Sequence, residues 1–369
     1  MKIETGPKVL KPIVDALLDI TCRAKVPTNM AGIKIRTMDE QTVTMTACNG
    51  DIGLVCCVPV KVAEPGECTV SSDSLKAIHQ SIRGDTVSIV SEGIDTYIEI
   101  DSDRFSLDKE ELDIILPNEE MTESCVLSHA AELITGMAHV TPFCKKVAED
   151  GSNALDYVNI ILTETILLLC STNTYVVAMN KVIVDESKNP FSVCIDPFAY
   201  NIMRKVFGQE KSTMSCGKNY LKISAPEADI PYVLFARTFD ITNYPKLLQT
   251  VPRNMDMGLA VVDRKKLDRC LGTIKASDSV IWESIDNRVE VADAEKGNTA
   301  STACKSTGGI SMAVCKEDIK KIVTTIKADK IHVKVGKSPG GNYKIMGISP
   351  DEEEPKSMFY MREMEREKR

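Results

Sequence analysis

Thr69-Val-Ser-Ser-Asp-Ser-Leu-Lys-Ala-Ile-His-Gln-Ser-Ile-Arg-Gly84 reads as a strand end, a polar cap and a helix whose apolar residues Leu75, Ile78 and Ile82 share one face. Moved 124 residues along the chain, the same face is Ala199, Ile202 and Val206, closed by Gly208. A further 120 residues on it is Ile319, Ile322 and Ile326, with Ala328 in the glycine's place. Strand-like stretches follow each copy: Val87-Ser-Ile-Val90, Thr213-Met-Ser-Cys216 and Ile331-His-Val-Lys-Val335.

A second amphipathic helix recurs upstream of each of these. Ile13, Leu17 and Ile20 are answered by Leu133, Met137 and Val140, and then by Leu267, Leu271 and Ile274. Two independent helices repeating in one order at similar offsets indicate three copies of one unit of roughly 120 residues. Each copy also holds strands, such as Ile33–Met38, Gln41–Thr46 and Tyr97–Ile100 in the first. The expected class is α+β: two helices packed on antiparallel sheet in each of three similar domains, 1–124, 125–252 and 253–369.

Composition narrows the function. The chain has 369 residues, 43% hydrophobic and 27% charged, which excludes disorder and collagen-like repetition. No apolar run approaches the ~18 residues of a membrane span, so no membrane association is expected. Met1–Pro7 carries an acid and a proline where a secretory signal needs an apolar core, which predicts a cytoplasmic protein. The 13 cysteines are odd in number and contain no C-x-x-C pair, and the 4 histidines form no zinc pattern with them. Reduced thiols acting as small hydrophobes are expected, with no metal and no cofactor.

Catalytic signatures are absent: there is no G-x-G-x-x-G, G-x-S-x-G or H-E-x-x-H. Gly336-Lys337-Ser338 resembles the end of a phosphate loop, but Ile331 stands where its first glycine belongs, so a turn is expected. The repeated helices are locally basic although the net charge is −8. Arg264, Lys265, Lys266, Arg269 and Lys275 surround Leu267; Lys316, Lys320, Lys321, Lys327 and Lys330 surround Ile322; Lys8, Lys11, Lys76, Arg83, Lys145, Lys146, Arg204 and Lys205 continue the trend. Ordinary solvated helix surface accounts for such a pattern as well as sequence-independent phosphate contact does.

Arg104-Phe-Ser-Leu107, Tyr157-Val-Asn159, Asn243-Tyr-Pro245 before Val251-Pro252, and Met358-Phe-Tyr-Met361 together resemble the beta-subunit sliding clamp of bacterial replicative DNA polymerases. The resemblance spans the chain but is distant. It implies a DNA-clamp fold, two chains closing head to tail into a dimeric ring, and a non-catalytic processivity factor. Its partners would be double-stranded DNA without regard to sequence, a DNA polymerase, a clamp loader and a second copy. A ring held on DNA by topology also suits an acidic protein with mildly basic inner helices.

By the same resemblance, Arg23, Lys76, Lys145, Lys146, Arg204, Lys265 and Lys320 would face DNA, and Phe105 and Leu107 would meet the other copy near Ile274. A groove for partner peptides would use Val158, Ser171, Asn173, Thr174, Tyr175, Val176, Val177, Pro245, Gln249, Thr250, Cys315, Phe359, Tyr360 and Met361. Plain domain core explains Val158, Val176 and Val177 equally well. Asn173–Val177 replaces the family's usual Asp-Gly-His-Arg-Leu-like run, which implies a shifted motif preference and a divergent or specialised clamp. The alternative from another class is a cytosolic enzyme with duplicated α+β domains and no readable active-site motif.

Overall fold

The computed structural model describes residues 1–22, 32–110, 114–145, 154–239, 249, 251–252, 254–274, 278–293 and 298–364. Among them are six α-helices: α1 (Pro7–Cys22), α2 (Ser72–Ile78), α3 (Ala130–Val140), α4 (Ala199–Val206), α5 (Arg264–Thr273) and α6 (Lys316–Thr325). Each begins within a few residues of the end of a strand. The order strand, helix, five strands, helix, three strands runs twice; the third pass has four strands in the middle, because Thr299–Thr307 is one long strand. The threefold repeat is therefore real, and each copy is itself two strand-then-helix steps.

The helix ends follow from local chemistry. Pro7 opens α1, where its missing N–H is not needed, and the Gly6 carbonyl accepts from Val9 and Leu10. Ser71 caps α2 by accepting from the Asp73 N–H, and Asp263 caps α5 by accepting from the Lys266 N–H. In α6 the first-turn acids Glu317 and Asp318 complement the helix dipole, and Cys315 makes no side-chain cap. All but two of the eighteen helix-face residues that revealed the repeat are buried; the exceptions, Ile78 and Val206, are half-buried.

The chain packs as two compact units: Met1–Ile134 with Leu162–Thr165 and Ile183–Phe239, and Thr135–Ile161 with Ile166–Val182 and Asp240–Arg369. In the first unit, strand Ile52–Pro59 pairs antiparallel with Tyr232–Phe239, so sheet from the first repeat runs on into sheet from the second. In the second unit, Val176–Ile183 pairs antiparallel with Ser357–Arg362, joining the second repeat to the third in the same way.

The corresponding strands that remain are Asp103–Ser106 in the first repeat and Thr299–Ala303 in the third. Asp103–Ser106 pairs with Asp95–Ile100 on one side, and Thr299–Ala303 pairs with Arg288–Ala292 on one side. Among the described residues, neither has a partner on its other side.

No disulfide joins the cysteines, and burial pushes the thiols of Cys56, Cys125, Cys170 and Cys216 up to about 12. Gly336 and Lys337 correct the expected turn: they finish strand Lys330–Lys337. A Cβ at Gly336 would lie 2.3 Å from the Asn254 carbonyl oxygen, so close backbone approach explains the glycine without a phosphate loop.

Candidate functional site

In the second unit, period-two alternation sorts the junction strands into two faces. Ala178 is opposite Phe359 and Val176 opposite Met361, and these four side chains are fully buried. Phe359 packs on Phe143 with ring centroids 5.4 Å apart. Val177 is opposite Tyr360 and Met179 opposite Met358, on the other face. There Leu168, Cys170, Met179, Ile345 and Tyr360 form one apolar cluster, flanked by half-buried Ile161, Val177, Val251, Tyr343 and Met358.

The expected groove residues thus divide. Val158, Ser171, Val176, Phe359 and Met361 are interior, while Val177 and Tyr360 belong to the cluster. Leu168, Cys170, Met179, Ile345, Tyr343, Met358 and Ile161 were not foreseen. Leu168 and Cys170 lie in Ile166–Thr172, which is apolar and buried almost throughout and so has no alternation to mark its two faces.

One rim of the cluster is a tight turn built on Asn173. Its Oδ1 accepts from the backbone N–H groups of Tyr175 (3.1 Å) and Val176 (2.8 Å), and Thr172 Oγ1 accepts from the Thr174 N–H (3.1 Å). Thr174 is thereby held at φ 81°, in the left-handed region that a β-branched residue seldom enters. Asn173 Nδ2 donates to Asp318 Oδ1 at 2.9 Å, fastening the turn to the start of α6, and Tyr175 is left 49% exposed. Cys315 is half-buried just before α6, its thiol pKa raised chiefly by burial, and Gln249 is exposed. Pro245 and Thr250 lie outside the described residues.

Beneath the sheet, Asn180 Nδ2 donates to Ser357 Oγ at 2.9 Å, and His139 Nδ1 lies 2.7 Å from Ser357 Oγ and 3.1 Å from Asn180 Nδ2. Because Asn180 and Ser357 are buried, the group pins α3 to both junction strands. Burial, followed by the charge of Lys327, lowers the His139 pKa. A base with a depressed folded pKa contributes stability that is full above its ordinary value of 6.5 and is lost as pH falls from there toward the folded value. The melting temperature should therefore fall between pH 7 and pH 5, and His139→Gln should flatten that dependence in a calorimetric pH series.

Lys76 on α2, Arg204 on α4, Lys265 on α5, Lys320 on α6 and Lys145 are all exposed. Arg23 and Lys146 lie outside the described residues. Phe105 is half-buried on the Asp103–Ser106 edge, whereas Leu107 (3% exposed) and Ile274 (2%) are already buried within their own chain.

No protein-family model matches the chain, and no curated protein matches it by sequence. Solved structures do. The DNA polymerase sliding clamp of Bacillus subtilis is 17% identical with a TM-score of 0.82, over 99% of both chains. The DNA polymerase III beta subunit of Thermotoga maritima is 15% identical at 0.84, and the sliding clamp of Pseudomonas aeruginosa bound to griselimycin is 13% identical at 0.85, each again over 99% of both chains. The chain has the sliding-clamp fold. The likeness takes in all three strand-and-helix passes. No helix among the described residues is long and apolar enough to cross a membrane.

Proposed function

We propose that this protein is a DNA sliding clamp: a ring-shaped, non-catalytic processivity factor of the cytoplasm that encircles duplex DNA and tethers a DNA polymerase and other replication or repair proteins. The observation that carries the reading is full-length likeness to sliding clamps, in a chain whose Asp103–Ser106 and Thr299–Ala303 strands, the counterparts of the strands that join the repeats, have no partner on their outer side among the described residues. Three domains, 1–124, 125–252 and 253–369, are joined edge to edge inside the chain by two antiparallel pairings. A third pairing of the same kind, between Asp103–Ser106 of one copy and Thr299–Ala303 of another, would close two copies head to tail.

In this reading the exposed cations of the helices meet phosphates without reading bases. The apolar cluster around Tyr360 and Val177 takes short hydrophobic partner segments, with Tyr175 at its rim. A clamp loader opens the ring. The test is retention: loaded on nicked circular plasmid, the protein should remain through gel filtration and be released when the plasmid is cut once. Equal loss from circular and linear DNA would refute encirclement.

A further inference from the structure

The last strand, Ser357–Arg362, ends on a charge. Alternate residues share a face, so Met358, Tyr360 and Arg362 point the same way. The first two belong to the apolar cluster and its flank. Arg362 donates its backbone N–H to the Tyr175 carbonyl at 2.8 Å and has Ile345 as its register partner on the other side. It therefore stands between the exposed rim tyrosine and a buried member of the cluster. Its guanidinium carbon lies over the Tyr343 ring, 4.8 Å from the centroid, and Tyr343 flanks the same cluster. Stacking on an aromatic face holds the planar cation at the cluster's edge.

The neighbouring charges are answered and this one is not. Glu363 Oε2 accepts from the Lys344 N–H at 3.1 Å, and its Oε1 lies 4.0 Å from Lys344 Nζ. Asp318 Oδ1 accepts from Asn173 Nδ2. The Arg362 side chain is exposed and has no hydrogen bond or ion pair among the described residues. An arginine fork offers paired N–H groups and no acceptor, which matches a carboxylate met edge on. Phosphate would match the fork too, but the surface beside it is apolar. Leu168, Met179, Ile345 and Tyr360 give hydrophobic side chains a seat and give a sugar–phosphate chain almost nothing to bond to.

We propose that Arg362 determines specificity in partner capture: it selects hydrophobic segments that carry an aspartate or glutamate side chain two residues from the residue seated on Tyr360. The proposal rests on the partner-capture part of the clamp reading and adds the chemistry that the partner must bring. The spacing follows from the strand. Tyr360 and Arg362 are one same-face step apart, about 6.6 Å. A segment lying extended along the strand repeats that step, with one apolar residue over Met358, the next over Tyr360 and the acid on Arg362. At the exposed rim solvent screens the charge, so the fork discriminates between segments while the apolar cluster supplies most of the affinity.

The test titrates the full-length protein calorimetrically with acetylated, amidated peptides containing Leu-Ser-Phe-Ser-Asp or the reverse order, and with the same two peptides carrying asparagine for aspartate. In the better-binding order the aspartate peptide should bind the parent about tenfold more tightly than its asparagine twin, the scale of one hydrogen-bonded charge pair. With Arg362→Gln that ratio should fall to about one. Arg362→Lys keeps the charge without the fork and should keep only part of the preference. Melting temperatures of both variants are measured alongside, and Arg362→Lys replaces Arg362→Gln in the comparison if the latter unfolds.

A ratio near one for the parent overturns the proposal, and so does a parent that binds none of the four peptides. An undiminished ratio in Arg362→Gln moves the selection to another residue and overturns it as well. If the asparagine peptide with a free terminal acid binds as tightly as the amidated aspartate peptide, the fork reads a chain end and the side-chain assignment fails. If Arg362→Gln weakens binding to a short duplex and leaves the peptide ratio unmoved, Arg362 is a phosphate contact. Retention of the parent on circular plasmid separates this outcome from the larger reading: retention without aspartate preference sinks only the role of Arg362, whereas preference without retention sinks encirclement and leaves that role in place.

Discussion

Ser106→Pro and Ser301→Pro, each made alone, should convert a dimer of twice 40.6 kDa into a folded 40.6 kDa monomer. The choice of residues follows from strand alternation. The Leu107 N–H donates to the Thr96 carbonyl and the Cys304 N–H to the Asn287 carbonyl, so both point into their own sheets. One residue on, the direction reverses, and by the same alternation the N–H groups of Ser106 and Ser301 face the unpaired side. Proline at either position removes an outward donor, places a ring in the path of an incoming strand and leaves the inner ladder intact. Head-to-tail closure uses two such contacts per ring, so one substitution weakens both. Native mass spectrometry at micromolar concentration reads the outcome directly, and an unchanged dimer would remove these edges from the interface. Charged replacements at Leu107 or Ile274 are less informative, because both side chains are buried in their own chain and such changes test folding as much as association.

These edges also show how far the sequence could be read. Helical periodicity exposed the repeat because a buried helix face needs apolar residues three and four apart, and tertiary context did not override it at Leu75, Leu133 or Ile319. The finer repeat, two strand-then-helix steps in each copy, stayed hidden. The strands that precede the helices are short, and Glu67–Ser71 and Glu123–Leu127 carry little alternation of their own. Pairing partners are a non-local property, so nothing in Ile52–Pro59 announces that Tyr232–Phe239 will extend its sheet. The expected groove residues fall on both faces of their strands, since a contiguous run such as Met358–Met361 names both sides of a sheet at once. Asn173 was picked out as a difference from the family, but its bond to Asp318, 145 residues away, has no local signature.

The two faces of the last strand give the sharpest separation between folding and partner capture. Phe359 is fully buried against Phe143, and Phe359→Ala should cost about 3–5 kcal/mol, enough to unfold the second unit or lower its melting temperature by many degrees. Tyr360 sits next to it in sequence but faces the other way, 9% exposed among Leu168, Cys170, Met179 and Ile345, with its hydroxyl pKa raised by burial. Its ring is the largest side chain in that cluster and the natural anchor for an incoming hydrophobic segment. Tyr360→Ala should therefore weaken binding of a polymerase's C-terminal peptide by at least about 30-fold, the scale of a 2 kcal/mol hot spot. The dimer mass and retention on circular DNA should be unchanged. Tyr360→Phe keeps the ring and loses only a hydroxyl that reaches Met358 Sδ at 3.5 Å, so it should bind within a few-fold of the parent. The order expected by calorimetric titration is parent, then Tyr360→Phe, then Tyr360→Ala, with unfolding dominated by Phe359→Ala. If Tyr360→Ala binds the peptide as tightly as the parent while Phe359→Ala still folds and fails to bind, the partner surface lies on the opposite face of the strand.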